Sequence, residues 1–169
     1  MIDKIGLSIL TMFGIGYIKY APGTVASLVT CLFYYFLTVI EINFKYFFFI
    51  FIILLIYSII LIDKLSHHFK KKDPEEIVID EFFGQSIPLL APIMMTTSFN
   101  FRKEDFFFFF SAFILFRFFD ILKPFPINLI DKKMKNGLGV ILDDIVAGIY
   151  TIITICISMF IYFVYIRLF

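Results

Sequence analysis

The chemistry in this sequence lies in five carboxylates and two cations set in an otherwise apolar chain. Asp80 and Glu81 are neighbours, Arg117, Asp120 and Lys123 recur at a spacing of three, and Asp143 and Asp144 are again neighbours. On a helix a spacing of three forms one stripe, so Arg117, Asp120 and Lys123 are expected on a common face at a helix end. Most of these residues lie between Leu115 and Tyr150, a stretch bounded by two very apolar segments, where unpaired charge is expensive and usually functional. The set offers hard oxygen ligands beside cationic donors. Carboxylates suit Mg²⁺, which binds through one or two of them and keeps its other positions for water and phosphate oxygens. Arginine and lysine suit the phosphate itself. Together these are the parts of a phosphoryl-transfer site: a metal to neutralise and orient, cations for the equatorial oxygens, and a carboxylate to position an attacking water or to attack directly. Each cluster alone has a plainer explanation, such as a snorkelling cation with a local ion pair or an acidic helix cap. Their convergence on one site is what those explanations leave unexplained.

The elements that must hold these residues are set by composition. Of the 169 residues 61% are apolar, 21% aromatic and only 17% charged, more apolar surface than a soluble domain of this size can bury. Apolar runs near the ~20 residues needed to cross a bilayer identify an all-α, polytopic membrane helical bundle, a single integral-membrane domain over residues 1–169. The formal charge of +1 argues for no particular partner and gives no sign of nucleic-acid binding. Cys31 and Cys156 lie within apolar segments and read as small hydrophobes; neither begins a Cys-x5-Arg phosphatase loop.

Residues Ile5 to Ile18 are apolar but short and glycine-weakened, which fits an interfacial or re-entrant segment without a cleaved signal peptide. The turn Tyr20-Ala21-Pro22-Gly23-Thr24 precedes a first span from Val25 to Ile40, with Thr24 as its cap and free first-turn N–H groups as an anion site. A second span runs from about Tyr46 to Ile62, and the basic loop Lys64 to Lys72 follows, in which adjacent His67 and His68 lack metal-ligand spacing. Asp73-Pro74-Glu75-Glu76 carries cap, first-position proline and capping-box signals, which puts Asp80 and Glu81 about two turns inside a third helix ending near Thr97. A fourth span covers Phe106 to Leu122 and stops at Pro124 and Pro126. After the Gly137-Leu138-Gly139 turn, Asp143 and Asp144 are expected to open the last span, Ile145 to Phe163 or beyond, where Ala147 and Gly148 permit close packing.

Five spans (four to five) with the N-terminus inside gather every acidic cluster on one side. Ten lysines (Lys4, Lys19, Lys64, Lys70, Lys71, Lys72, Lys123, Lys132, Lys133 and Lys135) then fall inside, against Lys45, Arg102, Lys103 and Arg167 outside. This is the positive-inside asymmetry, and it agrees with the convergence of the clusters. The candidate site is therefore expected to face the cytoplasm, where a lipid phosphate is the natural substrate, one of several options that composition alone leaves open.

Four blocks appear in order along nearly the whole chain: Ala21-Pro22-Gly23-Thr24 with Ser27-Leu28; Asp73-Pro74 with Val78-Ile79-Asp80-Glu81 and Gly84-Gln85; Phe116-Arg117-Phe118-Phe119-Asp120 with Lys123-Pro124-Phe125-Pro126; and Gly137-Leu138-Gly139-Val140 with Asp143-Asp144 and Ala147-Gly148. In these blocks the chain resembles the phosphatidylglycerophosphatase A family. The resemblance implies Mg²⁺-dependent hydrolysis of phosphatidylglycerophosphate to phosphatidylglycerol in a bacterial cytoplasmic (inner) membrane, with the phospholipid and membrane lipids as partners. It implies metal binding by Asp80, Glu81, Asp143 and Asp144, with Asp120 as ligand or orienter. Catalytic roles fall to Asp143, Asp144 and Glu81, phosphate binding to Arg117 and Lys123, and helix-terminal donors to Thr24 and Ser27. The alternative from another class is a multi-pass ion or metal transporter with a carboxylate-lined site. Against it stand charges at the span ends rather than the midplane, and no inverted repeat.

Overall fold

A computed structural model describes residues 2–39, 44–65, 76–95 and 103–168. They form seven α-helices and one 3₁₀ turn, with no strand among them: α1 (Ile2–Leu10), the 3₁₀ turn (Ile15–Tyr17), α2 (Pro22–Val39), α3 (Phe44–Leu65), α4 (Ile79–Met95), α5 (Lys103–Leu122), α6 (Ile127–Lys133) and α7 (Gly137–Leu168). The helices follow the apolar runs because a backbone without access to water must satisfy its own hydrogen bonds. Two are long and apolar enough to cross a membrane, α3 over Phe47–Leu65 and α7 over its full 32 residues. A shorter apolar run covers Pro22–Leu37 of α2. The C-terminal half of α7 is exposed on nearly every face, from Ile153 through Phe160 to Leu168, as a helix clothed by lipid would be.

The core is organised around α4. It runs uninterrupted through Pro88 and Pro92 and packs most extensively on α7, with α2 on another side. Gly84 and Gly148 set the α4–α7 crossing. A Cβ on Gly148 would collide with the Gly84 carbonyl oxygen, and one on Gly84 would lie 2.6 Å from the Asp144 carbonyl oxygen, so only glycine lets the two backbones approach this closely. Phe83, Leu89, Phe51, Tyr34 and Ile141 fill the main core. A second, smaller cluster of Phe116, Ile127 and Ala147 joins α5, α6 and α7.

Three local expectations are corrected. The helix carrying Asp80 and Glu81 begins at Ile79, so both lie in its first turn rather than two turns inside. The residues before it are held differently: Val78 donates its N–H to the Leu10 carbonyl at the end of α1, 3.0 Å away, which draws the chain out of a helical path. The cap expected at Asp73 to Glu75 lies outside the described residues, as do His67 and His68. Conversely, Asp143 and Asp144 do not open the last helix. It starts at Gly137, where Asp63 Oδ1 accepts the Gly137 N–H at 2.6 Å and Asn136 Oδ1 accepts the Gly139 N–H at 3.0 Å. With that cap the glycines form the first turn, and the aspartates sit roughly 10 Å along the helix. Thr24, finally, is not the cap of α2 but lies inside its first turn. Pro22 takes the first helical position, and Ala21 before it adopts φ 47°.

Candidate active site

A cavity of about 330 Å³ opens where the ends of α2, α4, α5 and α7 meet the segment containing α6. Its wall carries Asp80 and Glu81 from α4, Arg117 and Asp120 from α5, Lys123 from the following turn, Asp131 and Lys135 around α6, and Asp143 and Asp144 from α7. The two corrections to the helix starts bring the acidic pairs to one level: the first turn of α4 lies beside the third turn of α7 because the two helices touch at Gly84 and the Asp144 backbone.

Within the cavity the groups sort into two sets. Asp80, Glu81 and Asp144 each place a carboxylate oxygen within 4.8 Å of the others. Asp80 Oδ1, Glu81 Oε2 and Asp144 Oδ2 are buried and make no hydrogen bond within the protein. Buried oxygens without donors, one on each of three converging carboxylates, are costly unless a cation shares the group. Their all-oxygen character fits a hard divalent ion, so the donor set is suited to hold a metal.

The second set is cationic. Arg117 Nη1 lies 2.6 Å from Asp120 Oδ2 and 4.0 Å from Glu81 Oε1, and donates to Ser27 Oγ at 3.5 Å. Ser27 in turn donates to the Gly23 carbonyl, 2.9 Å away. Asp120 thus holds Arg117 through Oδ2 while also lying against Asp144. Lys123 has φ 42°, an unusual backbone state for a side chain of this size, and its Nζ lies 2.8 Å from Asp143 Oδ2 and 3.1 Å from Asp131 Oδ1. Burial opposes the charge of Lys123, but the two carboxylates outweigh it and raise its pKa above the ordinary lysine value. Burial would likewise raise Asp131, yet Lys123 and Lys135 bring it below the usual aspartate value. The turn bearing Lys123 is anchored by Tyr150, which donates to the Phe125 carbonyl at 2.8 Å.

The structure therefore brings Asp80, Glu81 and Asp144 together, and sets Asp120 and Asp143 against the two cations. Asp143 Oδ1 also accepts the Asp144 N–H at 3.2 Å. Thr24 and Ser27 do not line the wall; Ala21, Pro22 and Gly23 do, with Gly23 packed directly against Glu81 Oε1. Ser27 acts on Arg117 from behind. Asp131 and Lys135 were missed by sequence reasoning. Their spacing of four, an acidic residue preceding a basic one by one helical turn, was the available signal.

A family model described as phosphatidylglycerophosphatase A matches residues 8–159. A phosphatidylglycerophosphatase A of Escherichia coli (strain K12) is 29% identical over 137 residues, covering 81% of this chain and 73% of that protein. One from Haemophilus influenzae is 58% identical over 45 residues, 27% of this chain and 28% of that relative, so that match spans little more than a quarter of its length. No solved structure matches.

Proposed function

The chain belongs to the phosphatidylglycerophosphatase A family, a family of phosphoric monoester hydrolases, and on that premise we propose that it hydrolyses phosphatidylglycerophosphate to phosphatidylglycerol and phosphate, with Mg²⁺, at the cytoplasmic face of a bacterial inner membrane that it crosses several times as a single domain. The observation that carries this reading is the convergence of the Asp80, Glu81 and Asp144 carboxylates in one cavity with Arg117 and Lys123. Asp80, Glu81 and Asp144 would hold the ion. When bound, Mg²⁺ supplies neutralisation of the phosphate charge and acidifies water near the reacting phosphorus.

The remaining work falls to the chain's own groups. Arg117, fixed by Asp120 and Ser27, presents its remaining guanidinium donors to phosphate oxygens. Its planar fork is already oriented, so less rotamer freedom is lost on binding. Lys123 adds a point charge whose position is set by Asp143 and Asp131. In this reading Asp143 acts through Lys123, and Asp144 and Glu81, besides holding the ion, orient the attacking water. Attack on phosphorus breaks the P–O bond to glycerol and releases phosphatidylglycerol into the membrane against which the apolar helices lie. Placing the site at the helix ends, with Asp80 and Glu81 in a first turn, suits a reaction at the headgroup level better than ion passage at the midplane.

The test is phosphate release by the purified protein in detergent, with and without Mg²⁺, from phosphatidylglycerophosphate, phosphatidic acid and a soluble phosphomonoester. Metal-dependent turnover with phosphatidylglycerophosphate preferred is expected. Absence of metal-dependent turnover on all three would remove the reading.

A further inference from the structure

The charges in the cavity continue past Lys123 to its mouth. Asp143 Oδ2 pairs with Lys123 Nζ at 2.8 Å, that Nζ lies 3.1 Å from Asp131 Oδ1, and the same oxygen lies 3.6 Å from Lys135 Nζ. Side-chain exposure along this path goes from 7% at Asp143 to 31% at Lys123 and 27% at Asp131, and then to 47% at Lys135. The cavity thus has cationic charge at two depths. Arg117, only 15% exposed, sits beside Glu81, and Lys135 stands on the same wall at the opening. Lys132 and Lys133 are also exposed on this segment but take no part in the wall.

A lone phosphomonoester needs only the inner charge. The inference rests on the phosphatidylglycerophosphate reading, in which the substrate carries two phosphates: the terminal monoester that is cleaved, and a diester one glycerol unit away that joins the headgroup to the lipid. We infer that Lys135 binds the diester phosphate while the monoester occupies the inner site, and that this contact selects lipid phosphates with a second phosphate over those, such as phosphatidic acid, that have one. Asp131 serves as the positioning residue. It holds both ammonium groups on the same carboxylate oxygen, which fixes Lys135 beside the inner cation, one step nearer the mouth. The diester lies away from the breaking bond, so its contact contributes binding shared by ground state and transition state and is expressed in KM rather than kcat.

The experiment measures kcat and KM on phosphatidylglycerophosphate and on phosphatidic acid, in neutral-detergent mixed micelles with Mg²⁺, for wild type, Lys135→Gln, Lys135→Arg and Lys132→Gln. Lys135→Gln is expected to lower the ratio of kcat/KM between the two lipids about ten-fold, the scale of one charge-assisted contact. The loss should lie in KM for phosphatidylglycerophosphate. Lys135→Arg should restore most of the ratio, and Lys132→Gln should leave it at the wild-type value. A Lys135→Gln protein that weakens both lipids in proportion, as general attraction to anionic surfaces would, overturns the inference, and so does an unchanged ratio. Wild type that hydrolyses neither lipid overturns the proposed reaction and this inference together; wild type that prefers phosphatidylglycerophosphate while Lys135→Gln keeps that preference overturns this inference alone.

Discussion

Gly23→Ala separates the demands of the fold from those of catalysis. Gly23 lies in the first turn of α2 in helical conformation, where alanine raises helix propensity by up to about 1 kcal/mol. The added Cβ, however, would collide with Glu81 Oε1, lie 2.9 Å from its Cδ, and sit 3.4 Å from Arg117 Nη1. The obstruction is the free end of a flexible side chain rather than backbone, so the chain relieves it by swinging Glu81 aside. Ordinary contact requires the carboxylate to withdraw by roughly 1.5 Å, and a misplacement of even about 1 Å costs on the order of 10²-fold in rate. The expected result is a thermal midpoint unchanged or raised by about 2–4 °C and a phosphate-release rate lowered about 100-fold. Both are measured on one detergent-solubilised preparation, by thermal unfolding and by phosphate release from phosphatidylglycerophosphate. Wild-type turnover would refute the placement of Glu81 as an essential group. A collapse of stability in step with activity would refute the claim that Gly23 serves the site rather than the fold.

Gly148→Leu should do the reverse, because its Cβ meets the Gly84 carbonyl oxygen and lies 3.0 Å from Ile87 Cβ, neither of which can rotate away. A loss of about 2–4 kcal/mol is expected, seen as a lowered thermal midpoint and poor recovery of monodisperse protein; a midpoint equal to wild type would show that the α4–α7 crossing is looser than described. Lys123→Met should destabilise the fold by leaving Asp143 buried without its cation, and the pH dependence of that loss has a definite sign. Burial disfavours the Lys123 charge but Asp143 and Asp131 raise its pKa overall, so its contribution is complete below the free-lysine value of 10.5 and is lost only as pH rises through the raised folded value. The midpoint difference between wild type and Lys123→Met should therefore stay constant between about pH 6 and 9, and closure of that gap within the window would contradict the pairing.

The bundle was legible in the sequence because apolar runs dictate helices wherever water cannot satisfy the backbone. The helix starts were not. Asp73-Pro74-Glu75-Glu76 has every local signal of an N-terminus, yet Glu76 to Val78 are not helical, Val78 is tied to Leu10 by a tertiary hydrogen bond, and the helix starts only at Ile79. Gly137 and Gly139 look like a turn, yet Asp63, from α3, and Asn136 cap them into a helix. Both features depend on partners distant in sequence or on a cap hidden among turn residues. The site was legible as a set of charges, not as a set of pairs. Adjacent Asp143 and Asp144 look equivalent on paper, but on a helix neighbours point about 100° apart, and one faces Lys123 while the other faces Asp80 and Glu81. Asp131 was obscured by its surroundings, a single acid in a lysine-rich loop whose partner Lys123 comes from the preceding turn.

The most direct measurement of the central claim is a Mg²⁺ titration of phosphate release from phosphatidylglycerophosphate, run on wild type and on Asp144→Asn. The arrangement of Asp80, Glu81 and Asp144 predicts saturable activation of wild type by Mg²⁺, complete loss on chelation, and a variant that stays folded but whose activity is lost or recovered only at much higher Mg²⁺. Turnover that persists without divalent metal, or an Asp144→Asn titration that overlays wild type, would contradict it.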